Sequence, residues 1–166
     1  MDNRELEIID DIINNFTETH FGVCASIDTD FFYDPEEDDI TYAFVVSEAN
    51  DKMFMDCVHS IEPNLNCDIF LLSLLHEVGH HFTWEDLTAE EQAYSPDGEA
   101  YYYSPKEIVA TKWAVDYIYN NTNIVKAFWE ELQPHILQFY RDNNVEDWFL
   151  LKILLLYLYK IRKGKN

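Results

Sequence analysis

The sequence CDIFLLSLLHEVGHHF occupies residues 67–82 and constrains how the rest of the chain can be arranged. Its apolar side chains recur at the three- and four-residue spacing of one helix face, at Ile69, Phe70, Leu72, Leu75 and Val78. This spacing predicts a helix from residue 67 to about residue 82, with Asn66 as its N-cap. His76 and His80 lie well inside that helix and, being four residues apart, share one face.

His76, Glu77 and His80 form the pattern H-E-x-x-H, the sequence signature of zinc-dependent hydrolases. On a helix the two imidazoles can reach one metal ion, and Glu77 lies beside them as a general base. A catalytic zinc takes three protein ligands and a water whose pKa it lowers, so the pattern predicts a third ligand elsewhere. The alternative is a chance match on an amphipathic helix, in which both histidines are merely solvated.

The candidates for the third ligand are other histidines and several carboxylates. His81 follows His80 by one residue and therefore points about 100° away around the helix. His59 and His135 have no supporting pattern around them. Glu107 lies 27 residues after His80, at the start of a second predicted helix, in an E-x-x-A run.

Glu107 has two possible roles. The run Ser104-Pro105-Lys106-Glu107 predicts a helix start, with Ser104 as N-cap and Pro105 in the first turn, and the helix continues to about Ile118. A glutamate at the third helical position is also where a capping box places its carboxylate. We favour zinc ligation because the E-x-x-A context adds to the spacing.

The combined pattern, H-E-x-G-H followed by E-x-x-A-x-x-W-A on a second helix, resembles the ImmA/IrrE family of small gluzincin-type zinc peptidases. The resemblance covers roughly residues 69–118 and implies a zincin-like fold, with DNA-binding repressors as frequent substrates. On matching positions it implies zinc ligation by His76, His80 and Glu107 and general-base catalysis by Glu77. Thr111 departs from the usual Asn or Asp, which in such sites supports the ligand network.

The remaining segments predict an α+β fold in a single domain, residues 1–166. Helical spacing predicts an N-terminal helix over residues 4–16. Alternating or β-branched runs predict a small sheet of about three strands, at residues 23–27, 40–47 and 52–59, the last being an edge strand that holds an extended substrate. The C-terminal half is helical in pattern, over residues 122–140 with Pro134 as a kink or break, and over residues 145–161.

Acidic residues dominate the charge. The 32 Asp and Glu against 11 Lys and Arg give a formal net charge of -21. This field repels phosphate backbones, which argues against direct nucleic-acid binding. The acids concentrate in residues 28–39 and 85–99, where they either keep an aromatic-rich protein in solution or attract a basic or DNA-binding protein.

Cysteine usage and hydropathy predict the compartment. Cys24, Cys57 and Cys67 are odd in number and fit no zinc-site spacing, so we expect reduced thiols. The N-terminus lacks the layout of a secretory signal, and the most apolar run, residues 148–159, is too short to span a bilayer. We expect a cytoplasmic protein with no membrane partner, of a kind compatible with a phage or mobile element.

The expected function is that of a zinc-dependent metallopeptidase acting on a protein or peptide, such as a regulatory protein, with Zn²⁺ as cofactor. One alternative is a catalytically silent acidic zinc-fold protein that binds and inhibits a basic or DNA-binding partner. Another is a buried zinc that only stabilises the helix pair. Four tyrosines between the motif helices are candidates to stabilise an oxyanion, although packing over the core is the simpler role: Tyr94, Tyr101, Tyr102 and Tyr103.

Overall fold

A computed structural model describes residues 4–28, 30–44 and 47–142 and confirms an α+β architecture with a small sheet. The helices are α1 (Arg4–Phe21), α2 (Glu48–Ile61), α3 (Ile69–Thr83), α4 (Ala89–Ala93), α5 (Glu99–Tyr102), α6 (Pro105–Asn120) and α7 (Thr122–Asp142). The strands are β1 (Cys24–Ile27), β2 (Phe32–Asp34) and β3 (Asp39–Tyr42). The helix predicted over residues 145–161 lies outside the described residues.

The sheet is mixed and has the order β1-β3-β2. β1 pairs with β3 in parallel and β2 pairs with β3 antiparallel, with Ala25 and Tyr33 both opposite Ile40. Asp38 closes the β2–β3 turn at a positive φ of 53°, a conformation that a short polar side chain tolerates. Its carboxylate accepts a hydrogen bond of 2.7 Å from the Tyr33 hydroxyl, which stabilises the turn.

The strand predicted over residues 52–59 is wrong, because these residues belong to helix α2. The side chain of Ser47 caps the helix by accepting the N–H of Asn50 at 3.3 Å. The buried residues Phe54, Cys57 and Val58 then recur at helical spacing. A short apolar run fits a strand or a buried helix equally well, and here the cap and the three-residue spacing prevail.

Helix α3 is the central element of the fold, since it packs against β2 and β3 on one side and against α6 on the other. It is buried almost throughout from Ile69 to His80, which explains its continuous apolar sequence. The N-cap is Asp68 rather than the predicted Asn66, and its carboxylate accepts the N–H of Phe70 at 2.8 Å. Both motif histidines are thus held by a rigid, well-anchored helix.

The two ends of the described chain pack on each other through α1 and α7. The rings of Phe16 and Phe128 stack with centroids 3.9 Å apart. Helix α1 extends to Phe21, five residues beyond its predicted end, and α7 continues through Pro134 without a break. Within the described ranges, no helix combines the length and apolar character needed to cross a bilayer.

Candidate metal centre

Helix α3 presents His76, Glu77 and His80 in the protein interior. All three side chains are more than nine-tenths buried, and Glu77 is 8% exposed. The imidazoles lie four residues apart, with ring centroids separated by 4.7 Å. The H-E-x-x-H pattern is therefore carried by a helix, as the apolar spacing predicted.

Glu107 enters the site from α6. Ser104 and Pro105 begin this helix as predicted, but no capping box forms, and the Ser104 hydroxyl instead donates to the Tyr101 carbonyl at 2.7 Å. The Glu107 carboxylate, 3% exposed, contacts both motif histidines. Oε1 lies 3.1 Å from Nε2 of His76 and Oε2 lies 2.9 Å from Nε2 of His80.

Gly79 allows the two helices to approach closely enough for this contact. A Cβ atom at residue 79 would lie 2.4 Å from the carbonyl oxygen of Ala110 and 3.0 Å from its carbonyl carbon and Cα. The backbone of α6 thus fills the space where a side chain of α3 would otherwise stand. The glycine in the H-E-x-G-H pattern has a direct packing function that brings Glu107 within reach of the histidines.

The three converging groups shift one another's protonation. Burial favours the neutral form of Glu107, but its hydrogen bonds with His76 and His80 outweigh that effect and hold the carboxyl pKa well below its usual range. Burial also opposes charge on His76, yet the hydrogen bond with Glu107 raises the imidazole pKa above its ordinary value. Without a metal, this pairing therefore favours an ionised Glu107 and a protonated His76.

Thr111 supports His76 from the next turn of α6. Its Oγ1 lies 2.9 Å from Nδ1 of His76, and both residues are buried. A hydroxyl can accept or donate, so Thr111 suits either tautomer of the ring. With Nε2 bound to a metal, Nδ1 would carry the proton and donate to Oγ1. Thr111 therefore holds one side of the His76 ring, whereas Nδ1 of His80 has no hydrogen-bond partner among the described residues.

The donor set could hold a single metal ion. One ligand atom each from His76, His80 and Glu107 lie within 4.8 Å of one another. Tetrahedral ligands bound at about 2.0–2.2 Å are roughly 3.3–3.6 Å apart. The observed nitrogen–oxygen separations of 2.9 and 3.1 Å are only a few tenths of an ångström shorter. Two imidazoles and one carboxylate are also ligands that zinc accepts.

A cleft of about 740 Å³ opens onto this centre, with His76, Glu77 and Glu107 among its lining residues. Its other lining residues come from the segment before β2, from α2 and its N-cap Ser47, from Ser73 of α3, and from the chain between α4 and α6. Burial raises the pKa of the Glu77 carboxyl above its ordinary value, and both motif histidines oppose that rise. The carboxylate accepts no hydrogen bond from the residues that the structure describes, so it is free to receive one from a bound molecule.

Two of the four candidate tyrosines, Tyr101 and Tyr102, line the cleft. Burial, followed by the charge of Glu107, raises the pKa of Tyr101, and both residues line the same cleft. The ring of Tyr102 packs against Phe54, with centroids 6.1 Å apart. Tyr94 and Tyr103 are largely exposed and do not line the cleft.

The other three candidate histidines do not join the metal centre. His81 points away from the centre and its Nδ1 lies 2.7 Å from the Asp38 carboxylate. His135 pairs with Glu5 at 2.6 Å, and His59 is exposed on α2. The sequence does not predict the contact between Thr111 and His76. It does not predict the cleft walls either, because no spacing links residues 30–31, 47–54 and 95–98 to the motif.

No protein-family profile, curated protein or solved structure significantly matches the chain. The function therefore has to be inferred from the side chains of the centre and from the cleft around them.

Proposed function

We propose that the protein is a zinc-dependent peptidase in which His76, His80 and Glu107 hold the metal and Glu77 is the general base. The observation that carries this proposal is the convergence of three buried donor groups and a second buried carboxylate, Glu77, at an open cleft. A buried carboxylate without a protein partner is costly, and such groups concentrate at functional sites. The arrangement meets the chemical needs of hydrolysis.

Zinc, when bound, supplies a Lewis acid and lowers the pKa of a water molecule. Glu77 takes the proton from the attacking water and delivers it to the leaving nitrogen. Thr111 keeps His76 oriented throughout, because its hydroxyl holds the far side of the ring.

Tyr101 is the phenol that we assign to the developing oxyanion. Tyr101 and Glu107 both line the cleft, and the charge of Glu107 acts on the Tyr101 phenol. Its raised pKa keeps the hydroxyl protonated, as a hydrogen-bond donor must be. A donor fixed before the reaction stabilises negative charge more than mobile water does.

An extended substrate would need a free strand edge. Because residues 52–59 belong to helix α2, we assign this role to β2 instead. β2 pairs with β3 on one side only, and no other described strand covers its second edge. Asp30 and Phe31, just before β2, line the cleft. A peptide added along β2 by strand addition would therefore run toward Glu77.

The zincin-like fold and the likeness to ImmA/IrrE peptidases belong to the same proposal. The element order supports it, with a helix and a small sheet before the motif helix and the glutamate donor on α6. The contact between Thr111 and His76 removes one objection, since threonine supplies here the support expected from Asn or Asp.

The test is to measure zinc content and peptide cleavage in matched variants. Glu77→Gln should retain one zinc per chain, by elemental analysis after gel filtration, and lose cleavage of a quenched fluorescent peptide pool. His76→Ala and Glu107→Ala should lose the metal, with circular dichroism to verify folding. Full zinc retention in a folded Glu107→Ala would remove this residue from the centre, and undiminished cleavage by Glu77→Gln would exclude it as the base.

The net charge of -21 favours a second candidate, a catalytically silent acidic protein that binds and inhibits a basic or DNA-binding partner. The two candidates differ in the behaviour of Glu77→Gln. An inhibitor should bind a basic protein equally well with or without this change and should produce no fragments detectable by mass spectrometry.

A further inference from the structure

Three carboxylates from three separate segments line the cleft outside the metal centre. Asp30 precedes β2, Asp51 lies in the first turn of α2, and Asp97 lies between α4 and α5. No lysine or arginine lines the cleft among the described residues. The segments meet only in the folded protein, so the acidic lining is a property of the cleft rather than of one acidic run in the sequence.

A second, independent observation is that the same cleft is lined by the buried carboxylate of Glu77. It is more than nine-tenths buried, lines the cleft and accepts no hydrogen bond from the described residues. The cleft can therefore receive a polar molecule that hydrogen-bonds Glu77. The three aspartates in the cleft lining favour a molecule that carries positive charge. A zinc ion at the centre would offset the charges of Glu77 and Glu107, but the charges of Asp30 and Asp97 would remain in a lining to which the described residues contribute no lysine or arginine.

Apolar side chains alternate with these acids. Phe31 adjoins Asp30, while Met53 and Phe54 lie one turn or less from Asp51, and all line the cleft. A long basic side chain suits this surface, because its methylene stem packs on apolar atoms while its charged end reaches a carboxylate. An arginine can also stack on an aromatic ring.

We propose that the cleft selects peptide segments bearing lysine or arginine close to the bond that is cleaved, with Asp30, Asp51 and Asp97 as the residues that determine this specificity. The proposal rests on the peptidase function above and names its substrate class. Peptides with acidic residues at the same positions would be repelled by the cleft.

The experiment measures binding separately from cleavage. Two randomised dodecapeptide pools, one with two fixed central lysines and the other with two fixed central glutamates, are titrated by fluorescence anisotropy into the full chain carrying Glu77→Gln, with zinc in the buffer. The same pools are incubated with the wild-type chain, and fragments are counted by mass spectrometry. Asp97→Asn and Asp30→Asn are each added to the Glu77→Gln chain, and asparagine at residue 30 keeps the acceptor that the Phe31 N–H uses.

The matched control is Asp11→Asn, the same loss of charge on an exposed residue of α1, which contributes nothing to the cleft lining. We expect the lysine pool to bind tighter than the glutamate pool, with about fivefold weaker binding of lysine peptides in Asp97→Asn, no change in Asp11→Asn, and smaller differences at high salt. Equal binding of the two pools, or equal effects of Asp97→Asn and Asp11→Asn, would overturn the proposal.

The two proposals fail separately. If wild type cleaves both pools at equal rates, the peptidase function stands and the charge preference is overturned. If wild type cleaves neither pool while the Asp97-dependent lysine preference persists in binding, the preference stands and the catalytic function fails. A failure of the Glu77→Gln chain to bind either pool also overturns the preference.

Discussion

Replacing Gly79 by alanine tests whether the metal centre depends on the close approach of α3 and α6. The added Cβ would lie 2.4 Å from the Ala110 carbonyl oxygen, whereas ordinary contacts begin at 3.4 Å. The neighbouring atoms are backbone, so no side-chain rotation can relieve the clash. The helices would have to separate locally by about 1 Å, the difference between these two distances.

The expected effect on zinc is much larger than the effect on folding. Overpacking costs about 1–3 kcal/mol of unfolding free energy, and the helix preference of alanine over glycine returns about 1 kcal/mol. Metal–ligand distances, however, tolerate only about 0.2 Å. A shift of about 1 Å would move Glu107 out of range of an ion held by His76 and His80, so we expect at least about a 100-fold loss of zinc affinity.

The assay pairs urea unfolding in the presence of chelator with zinc titration against a chromophoric chelator. Gly22→Ala is the matched control, since φ at Gly22 is +70° and nothing lies within 4 Å of a built Cβ. Forcing alanine into this conformation costs about 1 kcal/mol of unfolding free energy, similar to the net cost at Gly79. Gly22, however, lies far in the sequence from the residues of the metal centre. Gly22→Ala should therefore lose stability and keep wild-type zinc affinity.

Two results would refute the reasoning. Wild-type zinc affinity in Gly79→Ala would mean that Glu107 does not need the observed helix spacing to reach the ion. A gain of about 1 kcal/mol in the unfolding free energy of the metal-free variant would mean that helix propensity prevails and that the contact with Ala110 has room to relax.

Three further outcomes follow from the same contacts. Thr111→Val should weaken zinc binding by about 10- to 100-fold in competition titrations, whereas Thr111→Ser should stay close to wild type because serine keeps the hydroxyl that holds His76. Equal zinc affinities of the two variants would show that the hydroxyl does not support His76. Tyr101→Phe should retain zinc and lower kcat by about 100-fold with little change in KM, and an unchanged kcat would exclude the phenol from the oxyanion. In the metal-free protein, the lowered pKa of Glu107 gives stability that is present above its ordinary pKa of 4.5 and lost as the pH falls through the folded value. The raised pKa of His76 gives stability that is present below 6.5 and lost as the pH rises through the folded value. The thermal midpoint should therefore be highest between about pH 4.5 and 6.5, and a midpoint that rises steadily above pH 7 would contradict the pairing.

The parts of the fold that sequence predicts well are those with long, regular spacing. Helix α3 carries an apolar pattern over four turns, and α6 begins with serine and proline, so both were predicted within a few residues. Glu107 had two possible roles from the sequence, and the E-x-x-A context favoured metal ligation over a capping box. The choice depends on where α6 lies relative to α3, which is fixed by the close contact at Gly79.

The parts that sequence misses are short or depend on tertiary contacts. β2 has only three residues, too few for an alternating pattern, and residues 52–59 have an apolar spacing that fits both strand and helix. The carboxylates of Asp30 and Asp97 stand 67 residues apart in the chain and meet the motif only through folding. Predicting such a cleft would require the packing of the helices around it, which residue spacing does not encode.

The choice between a catalytic and a purely structural metal turns on the number of donors and on access. Structural zinc is almost always enclosed by four protein ligands, whereas catalytic zinc has three and keeps one position open. Among the described residues, His76, His80 and Glu107 form the only group that could hold a metal. Two of these donors line a cleft of about 740 Å³ together with Glu77, whose carboxylate accepts no hydrogen bond from the described residues. A zinc whose sole purpose was to hold α3 against α6 would need neither the cleft nor such a carboxylate beside it, so the arrangement supports the proposed catalytic role over a purely stabilising one.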